Sequence, residues 1–115
     1  MDDCIFCRII KGEVPCSKVY EDDKVLAFHD INPVAPVHVI VIPKGHIPTL
    51  MDVEAGQLDC LPAMLAAVQR IAKLKGIDQR GFRTIINCNK DGGQVIFHLH
   101  MHLLGGKNWQ KSLFD

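Results

Sequence analysis

Residues 98–103 read His-Leu-His-Met-His-Leu, a strict alternation of imidazole and apolar side chains. A period of two belongs to a β-strand, whose successive side chains point to opposite faces. In a strand, His98, His100 and His102 line one face at intervals of about 6.5–7 Å, while Leu99, Met101 and Leu103 line the other. The chain must therefore build a sheet with a core on one side and room for histidines on the other. A single histidine is usually structural or merely solvated. Three at alternate positions exceed any packing need and point to chemistry.

The remaining segments supply such a sheet. A short helix is predicted over residues 4–11, ending at Gly12 in a C-cap position. Residues 18–21 and 24–29 flank the turn signal Asp22-Asp23 and read as a hairpin. Residues 31–36 form a proline-stiffened loop. The β-branched run 38–42, between Pro36 and Pro43, reads as a central strand. Beyond Pro48 the period changes: Leu58, Leu61, Leu65, Val68 and Ala72 recur three and four apart, the apolar stripe of a helix. Pro62 would clash within a helix interior, so this helix is predicted to begin near Asp59 and to stop at Gly76. Residues 83–87 and 96–104 complete the strands, with a loop at 89–93. The expected architecture is one α+β domain over residues 1–115, an antiparallel sheet with helices on one face and 106–115 as a tail.

Thirteen basic and thirteen acidic side chains balance to zero net charge. That leaves no concentrated basic surface for a nucleic acid. The N-terminus shows no basic segment followed by an apolar stretch, and no apolar run approaches the roughly 20 residues of a membrane helix. Five cysteines, an odd number with no sign of export, argue against structural disulfides and for the cytoplasm.

Two chemistries compete for the triplet. Alternating histidines can ligate a catalytic zinc that activates water. Alternatively, one neutral imidazole is a nucleophile that its neighbours orient. The preceding loop Asp91-Gly-Gly-Gln94 can bring backbone N–H groups close to an anion, with Asn87 adding an amide, which favours phosphoryl or nucleotidyl chemistry. Cys4 and Cys7 can grip one ion, with further ligands drawn from His46, His98 or His38. A thioredoxin-type redox pair would follow a strand, whereas this one opens the chain. Cys16, Cys60 and Cys88 look like small apolar fillers. His38 reads equally as a hydrogen-bonded core residue or as a partner of the triplet. Asp30, beside His29 at a strand end, suits either a turn cap or ribose hydroxyls.

Over residues 5–106 the chain closely resembles the histidine triad (HIT) superfamily, specifically its Hint branch of nucleoside phosphoramidases. The carriers are Ile5-Phe-Cys-Arg-Ile-Ile, Tyr20-Glu-Asp-Asp, Ala27-Phe-His-Asp-Ile, Ala35-Pro-Val-His, Val41-Ile-Pro-Lys, Gly92-Gly-Gln and His98-Leu-His-Met-His-Leu-Leu-Gly-Gly. The resemblance implies a sheet of about five strands, one long helix and a short N-terminal helix, with the sheet continued across a homodimer. It implies that His100 attacks the α-phosphorus of a purine nucleoside phosphoramidate, that His102 contacts phosphate and assists the leaving amine, and that the His98 segment and His38 support them. Asn87, Gly93, Gln94 and the backbone at Val95 match the phosphate loop, Asp30 the ribose carboxylate with His29 beside it, and Phe6, Ile9, Phe28 and Ile31 the base pocket. Relatives with the N-terminal Cys-x-x-Cys hold a structural zinc through residues matching Cys4, Cys7, His46 and His98. Val95 is a departure, because serine often stands there and only the valine N–H can donate. A nucleotide-binding protein with little turnover is therefore a further alternative.

Overall fold

The computed structural model describes residues 3–109. The predicted tail extends past this range, and its residues 110–115 lie outside the described residues. The elements run α1 (Ile5–Ile10), β1 (Lys18–Glu21), β2 (Val25–His29), β3 (Val37–Pro43), two short 3₁₀ turns, α2 (Cys60–Leu74), β4 (Phe82–Ile85) and β5 (Met101–Gly105). The strands form one sheet in the order β1-β2-β3-β5-β4, every neighbouring pair antiparallel. The expected five-strand α+β architecture is what the chain adopts. Among the described residues no helix is long and apolar enough to cross a membrane.

Local chemistry sets the turns and caps. The Asp22 carboxylate accepts from the N–H groups of Lys24 and Val25 at 2.8 Å each, which closes the β1–β2 hairpin. Pro62 falls in the first turn of α2, where its missing N–H has no partner to lose. At the other end Gly76 takes φ +70°, and the Ile77 N–H reaches back to the Ala72 carbonyl at 2.9 Å. This is a Schellman stop, and it tucks Ile77 into the core.

The sheet has two dressed faces. Val25, Ala27, Val39, Val41, Leu99, Met101 and Leu103 pack against Met64, Ala67, Val68, Ile71 and Ala72 of α2. Leu26, Phe28, Ile40 and Ile42 point the other way and meet Phe6, Ile9 and Ile10 of α1. Helices therefore cover both faces, not one as expected. Six residues of α1 carry too weak a periodicity to reveal which face it would choose.

Two strand boundaries also differ. The last strand begins at Met101 instead of residue 96, and β4 covers Phe82–Ile85 instead of 83–87. In the β3–β5 register, Val41 faces Met101, so the next pair of this kind would set Pro43 against Leu99. Proline has no N–H to donate, and the ladder ends there. The Leu99 N–H bonds the Ile47 carbonyl at 2.6 Å instead. The alternation of side chains nevertheless persists through 98–103, because both faces remain packed.

The helix buries a face turned from the predicted stripe: Leu58 lies ahead of α2 and Leu65 is 53% exposed, whereas Met64, Ala67 and Ile71 join Val68 and Ala72 in the core, Ile71 being fully buried. Ile71→Ala is expected to lower unfolding free energy by about 2–5 kcal/mol. Leu65→Ala should cost less than about 1 kcal/mol. Urea denaturation of the two variants checks the assignment of the helix face.

Candidate functional site

The face carrying α1 gathers five of the six histidines. At its centre is His98, which is completely buried. Its Nε2–H donates to the Pro43 carbonyl at 2.9 Å, the acceptor left over where the ladder stops. The proton is thereby fixed on Nε2, and Nδ1 presents a lone pair. That lone pair faces Cys4 Sγ at 3.4 Å, Cys7 Sγ at 3.6 Å and His46 Nδ1 at 3.2 Å, while Cys7 Sγ lies 3.3 Å from His46 Nδ1. All four ligand atoms lie within 4.8 Å of one another. Bonds of about 2.3 Å to sulfur and 2.0–2.1 Å to nitrogen imply tetrahedral edges of about 3.3–3.8 Å. Four of the six separations, 3.2–3.6 Å, lie close to those edges. Two sulfurs and two imidazole nitrogens form a donor set that suits a closed metal site, and the His98–Pro43 bond is the outer support such a ligand needs. Burial pushes the Cys7 thiol up and the His98 imidazole down to about 4. A bound cation would reverse the penalty on the thiol.

His98 also touches the second histidine, through its backbone. Its carbonyl accepts from His100 Nδ1–H at 2.7 Å. With the proton held on Nδ1, the unshared pair of neutral His100 is on Nε2. The His100 ring stands 5.1 Å from the His102 ring and 5.2 Å from that of Phe6.

His102 belongs to a separate chain of hydrogen bonds. The Val34 N–H donates to His38 Nδ1 at 3.1 Å, so neutral His38 carries its proton on Nε2. That proton points to His102 Nδ1 at 2.9 Å, with Asp30 Oδ2 3.3 Å away. Neutral His102 must then carry its own proton on Nε2. Burial lowers the pKa of both rings, against the opposing pull of Asp30.

Asp30, His38 and His102 also converge closely enough to be considered as metal ligands. The hydrogen bonds speak against it. A metal on His38 Nε2 would move the proton to Nδ1, where it would oppose the Val34 N–H. Ligating histidines normally donate their other N–H, as His98 does and His38 does not.

The structure brings most of the nominated residues to this face. Phe6 and Phe28 form its floor with ring centroids 5.6 Å apart. Ile9 is half-buried beside them, and Ile31 is 91% exposed at the rim. The loop over residues 87–95 is braced from within. Asn87 donates to the Gly92 carbonyl at 2.7 Å. The Gln94 amide donates to the Pro48 and Ile96 carbonyls at 2.8 and 3.0 Å and accepts from the Asn89 N–H at 2.8 Å. The Gly93 and Gln94 N–H groups bond the Lys90 and Asn89 carbonyls, each at 3.0 Å. A Cβ at Gly92 would sit 2.4 Å from the Cys88 carbonyl oxygen, so only glycine fits that turn. The side chains of Asn87 and Gln94 thus shape the cradle, and Val95, 86% exposed, follows at its mouth.

His29 stands apart from these residues. It lies on the α2 face, where it accepts from the Lys75 ammonium at 2.8 Å and bonds Ser17 Oγ at 2.9 Å. Period-two alternation with Phe28 could have shown that the two residues face opposite ways. The Val34 N–H was not legible as a functional group, because a backbone donor from a loop leaves no mark in side-chain pattern.

The structure is thus an antiparallel five-stranded α+β sheet that carries a cluster of hydrogen-bonded imidazoles on one face. The HIT domain family model matches residues 11–109. The chain belongs to the HIT family. A protein of Escherichia coli (strain K12) named purine nucleoside phosphoramidase is 46% identical over 106 residues, covering 92% of this chain and 89% of its own. A 14 kDa zinc-binding protein of Brassica juncea is 45% identical over 111 residues, covering 93% and 97%. Among solved structures, a histidine triad protein from Clostridium difficile superposes with a TM-score of 0.93 at 51% identity over 97% of both chains. A HIT family hydrolase from Clostridium thermocellum gives 0.96 at 42% identity over 98% of both.

The histidine burial has a consequence for stability. His98 titrates at about 4 when folded and near 6.5 when unfolded. Between those values the unfolded chain binds more protons, so stability falls as pH drops through that window. His38 and His102 shift in the same direction. The urea midpoint of metal-free protein should be lower at about pH 5 than at about pH 7.5. An equal or higher midpoint at the acid value would contradict the buried neutral histidines.

Proposed function

We propose that this chain is a nucleotide hydrolase that cleaves the P–N bond of purine nucleoside phosphoramidates, such as AMP–amine conjugates, through a nucleotidyl-His100 intermediate. The observation that carries the reading is the 2.7 Å bond from His100 Nδ1 to the His98 carbonyl, which leaves Nε2 as the nucleophilic nitrogen. His100 Nε2 bonds to the α-phosphorus as the P–N bond breaks. The departing amine takes its proton from solvent, while His102 Nε2–H, kept in place by His38 through His102 Nδ1, donates to a phosphoryl oxygen. Water then attacks the nucleotidyl-histidine, AMP leaves, and both imidazoles regain their starting states. The similarity to a named phosphoramidase supports the substrate class.

Asp30 is assigned to the ribose hydroxyls and Ile9, Phe28 and Ile31 to the base, with Phe6 beneath them. Asn87, Gly93, Gln94 and the Val95 N–H are assigned to the phosphate, the first three by shaping the loop. His29, on the other face, has no contact role in this reading. Cys4, Cys7, His46 and His98 would hold a structural zinc, supported by their geometry and by a zinc-binding relative. When bound, the ion would tie α1 and the loop around His46 to His98, with no contact to substrate. β4 is an edge of the sheet, which supports pairing with a second copy into a continuous sheet. Free thiols at all five cysteines are consistent with a cytoplasmic enzyme.

A single-turnover assay on a fluorogenic AMP–amine conjugate tests this reading. Native protein should release amine and carry a nucleotidyl adduct by mass spectrometry. His100→Asn should be slower by about a thousandfold or more and form no adduct. Equal rates would refute His100 as nucleophile. Inactivity of both proteins would favour the binding-protein reading that Val95 raises.

A further inference from the structure

Phe6 is 4% exposed, so it has little surface to offer an incoming base. Its ring is instead taken up by other rings. It meets His100 at 5.2 Å and 85°, Phe28 at 5.6 Å and 69°, and His98 at 5.8 Å and 75°, all edge to face. The next residue along α1 is Cys7, whose sulfur lies 3.3 Å from His46 Nδ1 and 3.6 Å from His98 Nδ1. One turn of helix therefore carries both a member of the sulfur–nitrogen cluster and a wall against the His100 ring.

The wall has mechanical work to do. A single hydrogen bond at Nδ1 pins one atom of the imidazole and leaves the ring free to rock about that contact. The Nε2 atom, on the far side of the ring, moves most when it does. Edge-to-face packing on an aromatic ring opposes that motion and keeps water off the same side. The His102 ring, 5.1 Å away at 70°, is the ring's other edge-to-face neighbour.

We propose that Phe6 is a positioning residue for His100. Its ring fixes the direction of Nε2, and α1 couples the cysteine cluster to the aim of the nucleophile. The proposal rests on His100 being the nucleophile. It departs from a base-pocket role, which would place the effect of Phe6 on substrate binding.

Steady-state kinetics and histidine ¹⁵N NMR on native protein, Phe6→Leu and Phe6→Ala test it, with metal content measured alongside. The ligands remain in both variants, so metal content should not change. kcat should fall about tenfold in Phe6→Leu and about a hundredfold in Phe6→Ala, with KM within about threefold of native. The His100 ring should change from a single Nδ1–H tautomer to a mixture in the same order. A rise in KM at constant kcat, or a His100 spectrum unchanged in both variants, would overturn the proposal. If Phe6→Ala does not fold, Phe6→Leu alone decides. Should native protein fail to hydrolyse the phosphoramidate, the functional reading fails while the NMR comparison still decides the role of Phe6.

Discussion

One residue, His98, holds the rest of the site in place. Three of its polar groups are engaged: Nε2–H bonds the Pro43 carbonyl, Nδ1 joins the cluster of Cys4, Cys7 and His46, and the backbone carbonyl receives His100. An imidazole with no exposed surface and no such partners would be costly to bury. Here both ring nitrogens and the carbonyl are used, and each use fixes something else. The ring orientation organises a metal-ligating donor set, and the carbonyl sets the tautomer of the next histidine.

The site consists of two hydrogen-bond chains of opposite polarity. In one, protons run outward from His98 and His100 to carbonyls, leaving lone pairs that face inward. In the other, the Val34 N–H pushes the proton of His38 to Nε2, and His38 in turn pushes that of His102 to Nε2. In the proposed reading the first chain supplies a ligand and a nucleophile, the second an N–H donor for the phosphoryl group. Neighbouring imidazoles of the same chemical type thus take complementary roles because the backbone groups around them differ. Burial lowers the pKa of His38, His98 and His102, which favours the neutral rings whose tautomers these bonds fix.

Much of this is legible in residue order. Alternation over residues 98–103 announces the two faces, and the three-and-four spacing announces a helix and the place of Pro62, but not its buried face: Leu58 precedes α2 and Leu65 is exposed, while Met64, Ala67 and Ile71 turn to the core with Val68 and Ala72. The Cys4–Cys7 pair and His46 were readable as ligand candidates, while the choice of His98 came from family resemblance. The packing side of α1 was not legible, since six residues do not make a face. Nor was the early end of the β3–β5 ladder, although the proline responsible was in view. Its effect depends on a register that only the folded pair reveals. The inward use of Asn87 and Gln94 also escaped the sequence, because an amide that braces a loop looks the same as one that binds a ligand.

The central claim is that a metal belongs to the cysteine cluster and leaves His100 free. X-ray absorption at the zinc edge, on protein carrying one equivalent of zinc, examines it most directly. The account predicts a shell of two sulfurs at about 2.3 Å and two nitrogens at about 2.0–2.1 Å. A shell of nitrogen and oxygen without sulfur would place the ion on the other histidines and contradict it.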